Sequence, residues 1–490
     1  MKLTVARFTL ELLSPMHIGS GLASAATDAP VVRDAFGDFR IPGSSLAGAL
    51  RAECSDCANA WGRAGSDGNT ASMIEVSDGF LVDLDGELAL TKRLCGKPLV
   101  YRARAQIQDH VRIDHESGAA ETGGKFDVEI IPQGTRFRCE LVLAERAGTS
   151  GETISAARAA FAQALRLLHE GAIALGADVC SGLGLVRIVD GTLSLGAFDL
   201  GTRSGLEGAR ARPADINESA GTADAAAHLL GSHAGTATSV RGSQGALSGT
   251  IKIRFATDGP LLVGGNQRPT AKSSSDKSKG ADLVFGESLV ADYKVKELVP
   301  RPWIPGSSLR GALRHRTQHV LEALNTPDSD AILGELFGSI DGDVGTASKV
   351  RIHGCMLADE SRTVVQHVAI DRLTGGSLRG ALYSEAPIWK DDLVIEVRLS
   401  LHGISDAQAA ALAHAVIDMG TGHLPIGGGT RRGNGRLKFA DDKDGYRGKA
   451  VRFTLARGTE HITERSSLQQ IDAFIDAFEQ ANAQLVGATK

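Results

Sequence analysis

The string IPGSSLAGALR at residues 41–51 returns as IPGSSLRGALR at 304–314, with ten of eleven positions unchanged. In both, the proline fixes the chain entering a turn, the glycine permits close backbone approach, and the serines (Ser44 and Ser45, Ser307 and Ser308) offer an N-cap for a short helix. Unpaired N–H groups and the positive dipole end make such a helix start a cradle for phosphate, with Arg51 and Arg314 within two turns of it. An ordinary capped helix with no ligand has the same signature. Two glycine-rich loops, at 176–184 and 427–435, each follow an expected helix and precede an expected strand. In the second, Arg431, Arg432 and Arg436 sit among glycines that allow backbone contact, an arrangement suited to a nucleic-acid backbone. The first keeps only Arg187 nearby, so its phosphate contacts would be fewer or made by backbone amides.

Cys54 and Cys57 have metal-ligand spacing at the end of the first of these helices. A zinc site needs two more ligands, and Cys95, His110 and His115 supply no second tight pair; two reduced thiols at a helix end fit better. Asp28, in the TDAPVVRD segment at 27–34, follows a run of small residues where a carboxylate stays exposed and can bind a hard cation beside a phosphate. A solvated loop aspartate would look the same. The chain has no Ser-His-Asp order, phosphate-binding P-loop or HExxH, which argues against hydrolases of those kinds.

The elements that must carry these residues repeat. Three further pairs keep the order of the first: PMHIGSG (15–21) with PLLVGGN (260–266), HVRIDHESG (110–118) with HVAIDRLTG (367–375), and CSGLGLVRI (180–188) with RRGNGRLKF (431–439). The chain therefore reads as a tandem duplication. Apolar alternation predicts strands over 2–13 and 136–143, and helical spacing predicts a helix over 155–168. The second copy repeats them as strands at 251–255 and 393–401 and helices at 308–316 and 406–419. A βαββαβ-like order predicts an α+β fold of tandem ferredoxin-like domains. Residues 1–200 form the first domain, and 201–249, rich in small residues, read as a linker. The second domain, 250–490, includes a polar loop at 270–279, a strand at 450–455 and an amphipathic helix at 467–485.

The 490 residues hold 53 Lys and Arg against 58 Asp and Glu, a net charge of −5. That excludes a uniformly basic nucleic-acid binder and leaves room for a local basic groove. No apolar run of about 18 residues occurs, and the first residues alternate as a strand does, so a cytoplasmic protein without a membrane span or signal peptide is expected. Six cysteines are too few for a disulfide framework.

The PMHIGSG strand end, the loop DAPVVRD (28–34), the IPGSS block, the segment VRIDHESGAAETGGKFDVEIIPQGTRF (111–137) and the closing GLG loop together resemble the RAMP superfamily, the repeat-associated proteins of CRISPR systems. Within it the first copy looks like the backbone subunit of type III effector complexes. The second resembles the same subunit through IPGSSLRGALRHR, ELFGS (335–339), VAIDRLTGGSLRGALYSE (368–385) and GGGTRRGNG. Two fused copies are similar to type III-D-like systems. The resemblance implies a ferredoxin-like, RNA-recognition-type core that binds guide RNA, and a thumb hairpin in each copy that interrupts the guide–target duplex. The thumbs would run from VRIDHESG to about Pro132 and from VAIDRLTG to about Pro387, with Ile113 and Ile370 as wedges and Arg372 a guide contact, replaced by His115 in the first copy.

The resemblance further implies that Asp28 occupies the position of the family's catalytic aspartate, supporting Mg²⁺- or Mn²⁺-dependent cutting of target RNA, and that Asp34 is structural, tied to a basic group or turn amide. In the second copy Asp282, with Asp276 behind it, is the nearest counterpart. Implied partners are guide RNA, complementary target RNA, other backbone subunits and a large signalling or polymerase-like subunit. Two alternatives stand beside cutting. One is a catalytically silent scaffold; the other is a metal-independent guide-processing endonuclease with His17 as general base.

Overall fold

A computed structural model describes residues 1–22, 27–54, 60–62, 70–101, 105–113, 120–210, 246–264, 281–341, 344–357, 361–390, 392–440, 450–457 and 460–462. The central strand of the first half is Lys2–Leu12, whose alternation sends Ala6, Phe8, Leu10 and Leu12 to a buried face. Arg136–Glu145 pairs with it on one side. Ser194–Asp199 and then Leu185–Ile188 share its other side, all antiparallel. Gly79–Val82 and Arg40–Ile41 extend the sheet beyond Arg136–Glu145, which also pairs with Ile74–Val76. Helices Gly43–Glu53 and Gly151–Glu170 cover the apolar face, adding Leu46, Leu50, Phe161, Leu165 and Leu168 to one core. The second of these helices has well-defined ends: Ser150 accepts from the Thr153 amide at 3.2 Å, and Gly171 leaves it in the left-handed region.

The second half repeats this order. Leu247–Thr257 lies between Val394–Ile404 on one side and Val451–Arg457 and Leu437–Phe439 on the other, and Val350–His353 flanks Val394–Ile404. Helices Gly306–Ala323 and Asp406–Gly420 close its core, the latter starting at a capping box between Ser405 and Gln408. The duplication read from four short strings is thus a duplication of whole elements. The fold is mixed α+β, as expected, in two mainly antiparallel sheets of eight and six strands.

Some expectations change. Neither Ser44 or Ser45 nor their counterparts cap a helix: Pro42 and Pro305 hold the N-cap position without a side-chain cap, and the serines lie in the first turn. Gly43 selects this start. A Cβ there would lie 2.5 Å from the Val76 carbonyl oxygen, so the chain passes too close for any side chain. The stretch expected as a linker opens with a helix, Arg203–Arg210, and closes on the strand that starts at Leu247; residues 211–245 lie outside the described residues. The strand expected at 450–455 is Val451–Arg457, and Ser194–Asp199 is its counterpart in the first half. The loop at 270–279 and the helix at 467–485 lie outside the described residues.

The halves meet head to tail. The 3₁₀ turn Val179–Ser181 and Gly182, from the first glycine-rich loop, sit against the edge strand Val350–His353 and the start of helix Gly306–Ala323. A Cβ on Gly182 would lie 2.4 Å from the His353 Cα, and one on Gly306 2.1 Å from the Ser181 carbonyl oxygen. Arg351 reaches back to Glu53 at 3.2 Å. A second bridge is the hairpin Glu287–Asp292 with Glu297–Ile304, whose Tyr293 hydroxyl accepts from the Arg136 amide at 3.0 Å and donates to the Val82 carbonyl at 2.9 Å. Gly433, the counterpart of Gly182, is exposed and has no atom within 4 Å of its Cβ position.

Candidate nucleic-acid interface

Asp28 and Asp282 occupy equivalent places. Each is exposed and lies against the root of a long hairpin. The Asp28 amide donates to Asp127 Oδ1 at 2.8 Å, while the Asp127 amide donates to Asp28 Oδ2 at 3.1 Å. In the second half the Asp282 amide donates to Ser384 Oγ at 3.0 Å, and the Ser384 amide donates to Asp282 Oδ2 at 2.7 Å. The next residues continue the match, Ala29 bridging Val128 and Leu283 pairing with Glu385, both parallel. Two carboxylates therefore face each other in the first copy and one in the second. The Asp28 amide, then the Thr27 hydroxyl, hold the Asp127 carboxyl below its ordinary range. Asp127 was not a candidate from sequence, because its approach to Asp28 depends on the register of a distant strand. Asp34 accepts from the Phe36 and Asp38 amides, both at 2.9 Å, and so ties a turn as expected. Asp276 lies outside the described residues.

The hairpins pair Gln106–Ile113 with Ala120–Ile130, and Val365–Ile370 with Ser377–Ala386. Both show large apolar side chains to solvent: Ile107, Val111 and Phe126 on the first, and Val368, Ile370, Leu378 and Leu382 on the second. Ile370 is 61% exposed and Leu373, at the tip, 97%. Isolated exposed apolar residues are ordinary, but rows of them along a projecting hairpin indicate a surface that something covers. Asp371 builds the second tip by accepting from the Leu373 and Thr374 amides and the Thr374 hydroxyl, which keep its carboxyl below the ordinary range. Arg372 is exposed beside it. The Ile113 backbone pairs with Ala120, its side chain lies outside the described residues, and so does His115.

The expected phosphate cradles are differently used. The Gly43 amide donates to Asp78 Oδ1 at 2.7 Å, so a carboxylate of the same chain already meets this helix start. Ser44, Ser45 and Arg51 lie beyond it, Ser44 and Arg51 exposed. Gly306 is packed into the junction, with Ser307 and Ser308 half-buried next to it. Arg314 donates to the Gly338 carbonyl at 3.1 Å and, with Arg310 on the Phe337 carbonyl, satisfies the end of helix Ser329–Phe337. Arg432 pairs with the buried Glu385 and lies over the Tyr383 ring, tying the second glycine loop to the hairpin root. Arg431 and Arg187 are exposed.

The strongest basic feature comes from sheet register. On the face of the second sheet opposite its core, Arg452, Lys252, Arg398 and His353 stand directly opposite one another across four neighbouring strands. Thr454, Thr250, Ser400 and Arg351 form the next row. Arg452, Lys252 and Arg398 carry the charge of the row, His353 being buried at its end; like charges placed opposite each other destabilise a sheet, and a polyanion laid across these three offsets that repulsion. In the first half the comparable face is neutralised within the chain, Arg7 pairing with Glu140 and Arg136 with Glu11. Strand alternation shows that Lys252 and Arg398 leave the core, but not that pairing aligns them.

Burial, then Arg398, Arg351 and His402, push the His353 imidazole down to about 3 from 6.5. Unfolded, this group takes up a proton near 6.5; folded, only near 3. Its contribution is therefore complete above pH 6.5 and is lost as the pH falls towards 3, by up to about 1.4 kcal/mol per pH unit. Urea denaturation at pH 7 and pH 5 is expected to show a steeper loss for the wild type than for His353→Gln, and parallel losses would contradict this.

Cys54 is buried at the end of helix Gly43–Glu53, Cys57 lies outside the described residues, and Cys95 is exposed. Among the described residues no group of three or more His, Cys, Asp or Glu is arranged to hold a metal ion. Burial lowers the His110 imidazole, which stacks on Phe126 at 5.0 Å. His17 is buried with Nδ1 2.7 Å from the Glu129 carbonyl oxygen, a position that holds the PMHIGSG turn on the hairpin root.

The chain belongs to the RAMP superfamily, whose family model matches residues 9–187 and 254–438, one region in each half and together well over half the sequence. Comparison with curated proteins gives no match.

Proposed function

We propose that this RAMP-superfamily chain is an RNA-guided, RNA-cleaving backbone subunit of a type III CRISPR effector complex, in which target RNA paired to the guide is cut beside Asp28 and Asp282. Membership in the superfamily indicates a CRISPR-associated RNA-binding subunit. The cutting assignment rests on one observation: in both copies the candidate aspartate is held by the same reciprocal bonds at the root of a projecting hairpin. The exposed apolar hairpin residues support a thumb role, with Ile370 and Leu373 wedged into the duplex and the flanking nucleotide displaced. The basic row supports guide contact through the sugar-phosphate chain.

The carboxylate oxygens of the exposed Asp28 and the half-buried Asp127 are hard donors of the kind Mg²⁺ or Mn²⁺ takes together with water and substrate phosphate. Such an ion, when bound there, would offset charge on the phosphate. The hairpin breaks base stacking and aligns a ribose 2′-oxygen with the adjacent phosphorus. The 2′-oxygen bonds to phosphorus as its proton passes to a carboxylate oxygen or water, and the 5′-oxygen leaves and takes a proton from water, giving a 2′,3′-cyclic phosphate and a 5′-hydroxyl. Asp127 keeps Asp28 in place through its own amide and carboxylate. In the second copy Ser384 replaces one carboxylate, which favours a silent scaffold role for that copy as a second reading.

The head-to-tail junction supports partnership with further backbone subunits, since Gly433 presents an open counterpart of the surface that Gly182 buries. Among the described residues no helix is long and apolar enough to cross a membrane. The test is a labelled RNA complementary to the guide, added to complex co-expressed with a CRISPR array, in Mg²⁺ or EDTA. Discrete products with cyclic-phosphate ends in Mg²⁺ alone are expected. Bound but intact RNA makes this chain a scaffold, and cutting that survives EDTA removes the metal from the proposal.

A further inference from the structure

A pair of histidines lies outside everything used so far. His315 and His319 are one turn apart on helix Gly306–Ala323, with their Nε2 atoms 2.9 Å apart and their rings at 86°. Two imidazole nitrogens bound to one ion at ~2.05 Å stand about 2.9 Å apart at a right angle and about 3.3 Å apart at a tetrahedral angle. The observed spacing is that of a hydrogen bond between the rings and also fits the right angle, so an ion can take the place of the shared proton without moving the nitrogens apart. His319 and Glu322 are each 53% exposed, so an ion and its waters can reach the pair.

The surroundings are those of a ligating imidazole. Glu322 Oε2 lies 3.8 Å from His319 Nδ1, the nitrogen that would remain protonated when Nε2 binds a metal. Gln318 donates to the other Glu322 oxygen at 2.9 Å and fixes the carboxylate there. At 3.8 Å the two are not hydrogen-bonded; drawn onto the second ring nitrogen, the carboxylate would orient the imidazole and raise its basicity towards the ion. Arg314 and Arg316, the cations that flank His315, are tied to the Gly338 carbonyl at 3.1 Å and to Asp418 at 2.6 Å. At the matching positions the first copy has Ala52 and Asp56, so the shared fold does not require the pair.

We propose that His315 and His319 form a binding site for a divalent transition-metal ion of tetragonal preference, Ni²⁺ or Cu²⁺, with Glu322 as the positioning carboxylate and water filling the remaining positions. Both lone pairs turn about 45° off the line between the nitrogens to meet the ion, a rotation that the exposed His319 ring can take up more freely than the half-buried His315. The ion replaces the proton shared by the two rings and links successive turns of the helix whose start is packed into the junction. Proton-linked imidazole ligands and the right-angle spacing separate this site from the oxygen-lined Asp28 site, which suits Mg²⁺.

The experiment is Ni²⁺ titration of untagged, EDTA-stripped full-length protein by calorimetry, with Mg²⁺ as control. One site is expected in the wild type and in Cys54→Ser/Cys57→Ser. Affinity should fall at least about tenfold in His315→Ala/His319→Ala, and about tenfold in Glu322→Gln. Unchanged affinity in the double histidine variant overturns the proposal, as does absence of Ni²⁺ binding in the wild type. Should that variant fold poorly, the electron paramagnetic resonance spectrum of Cu²⁺ on wild-type protein decides. Coupling to two imidazole nitrogens supports the site, and oxygen-only coordination overturns it.

Discussion

Asp28→Ala is expected to slow the appearance of one set of target-RNA products by about a hundredfold to a thousandfold and to leave guide RNA bound. The size follows from what is lost. Asp28 is exposed, packs no core and, among the described residues, makes the reciprocal bonds to Asp127, so its removal costs about 1 kcal/mol of local structure. If the carboxylate holds the cation that offsets phosphate charge, the rate falls by orders of magnitude on an otherwise intact complex. Asp127 separates charge from geometry. Asp127→Asn keeps an oxygen for the Asp28 amide and removes the second negative charge, so a loss of about tenfold or more that higher Mg²⁺ partly restores marks a shared cation. Asp127→Ser reproduces the second copy and should give the first site the activity of the second. Asp282→Ala removes a different product, or nothing if the second copy is silent. Quantifying products on sequencing gels at several Mg²⁺ concentrations tests all four variants, and unchanged products in Asp28→Ala with RNA still bound would sink the assignment.

The duplication was legible because both copies spell the same start of the same helix at IPGSS, and the α+β class followed from alternation in strands such as Lys2–Leu12. Equivalence of Asp28 and Asp282 was legible only as order along the chain, since the loops before them differ in length and composition. The structure makes it a match of bonds, because each loop returns to its hairpin root in the same parallel register. Three things depend on non-local pairing, which no local string encodes. The basic row needs four strands separated by up to about two hundred residues to align, and register is set by the whole sheet. Asp127 needs its hairpin to fold back on the 27–29 loop. The helix start at Gly306 read as a ligand cradle because unsatisfied amides and a close-approach glycine look alike whether the neighbour is a phosphate or another part of the chain. Here the neighbour is the first repeat's glycine loop.

That packing gives the largest stability effect expected on this chain. In Gly306→Ala the new methyl carbon would stand 2.1 Å from the Ser181 carbonyl oxygen and 2.3 Å from that of Ile352, two backbone atoms that cannot rotate away. Gly306 is not in the left-handed region, and alanine is favoured over glycine within a helix, so any loss comes from these two contacts, one across the junction and one inside the second half. About 3 kcal/mol is expected, the upper range for overpacking, as a lower urea midpoint or as separation of the two halves seen in proteolysis between them. Gly182→Ala adds backbone strain at φ 80 to a contact 2.4 Å from the His353 Cα and should be at least as severe. Gly433→Ala is the control, because φ 97 costs about 1 kcal/mol but nothing lies within 4 Å of the new carbon. If the open glycine loop receives the next backbone subunit as Gly182 receives Gly306, Gly433→Ala should leave the isolated chain near wild-type stability and block growth of the complex. Native mass measurement of the co-expressed assembly distinguishes the cases. Full-size complexes from Gly433→Ala would mean that the junction inside this chain is not repeated between chains.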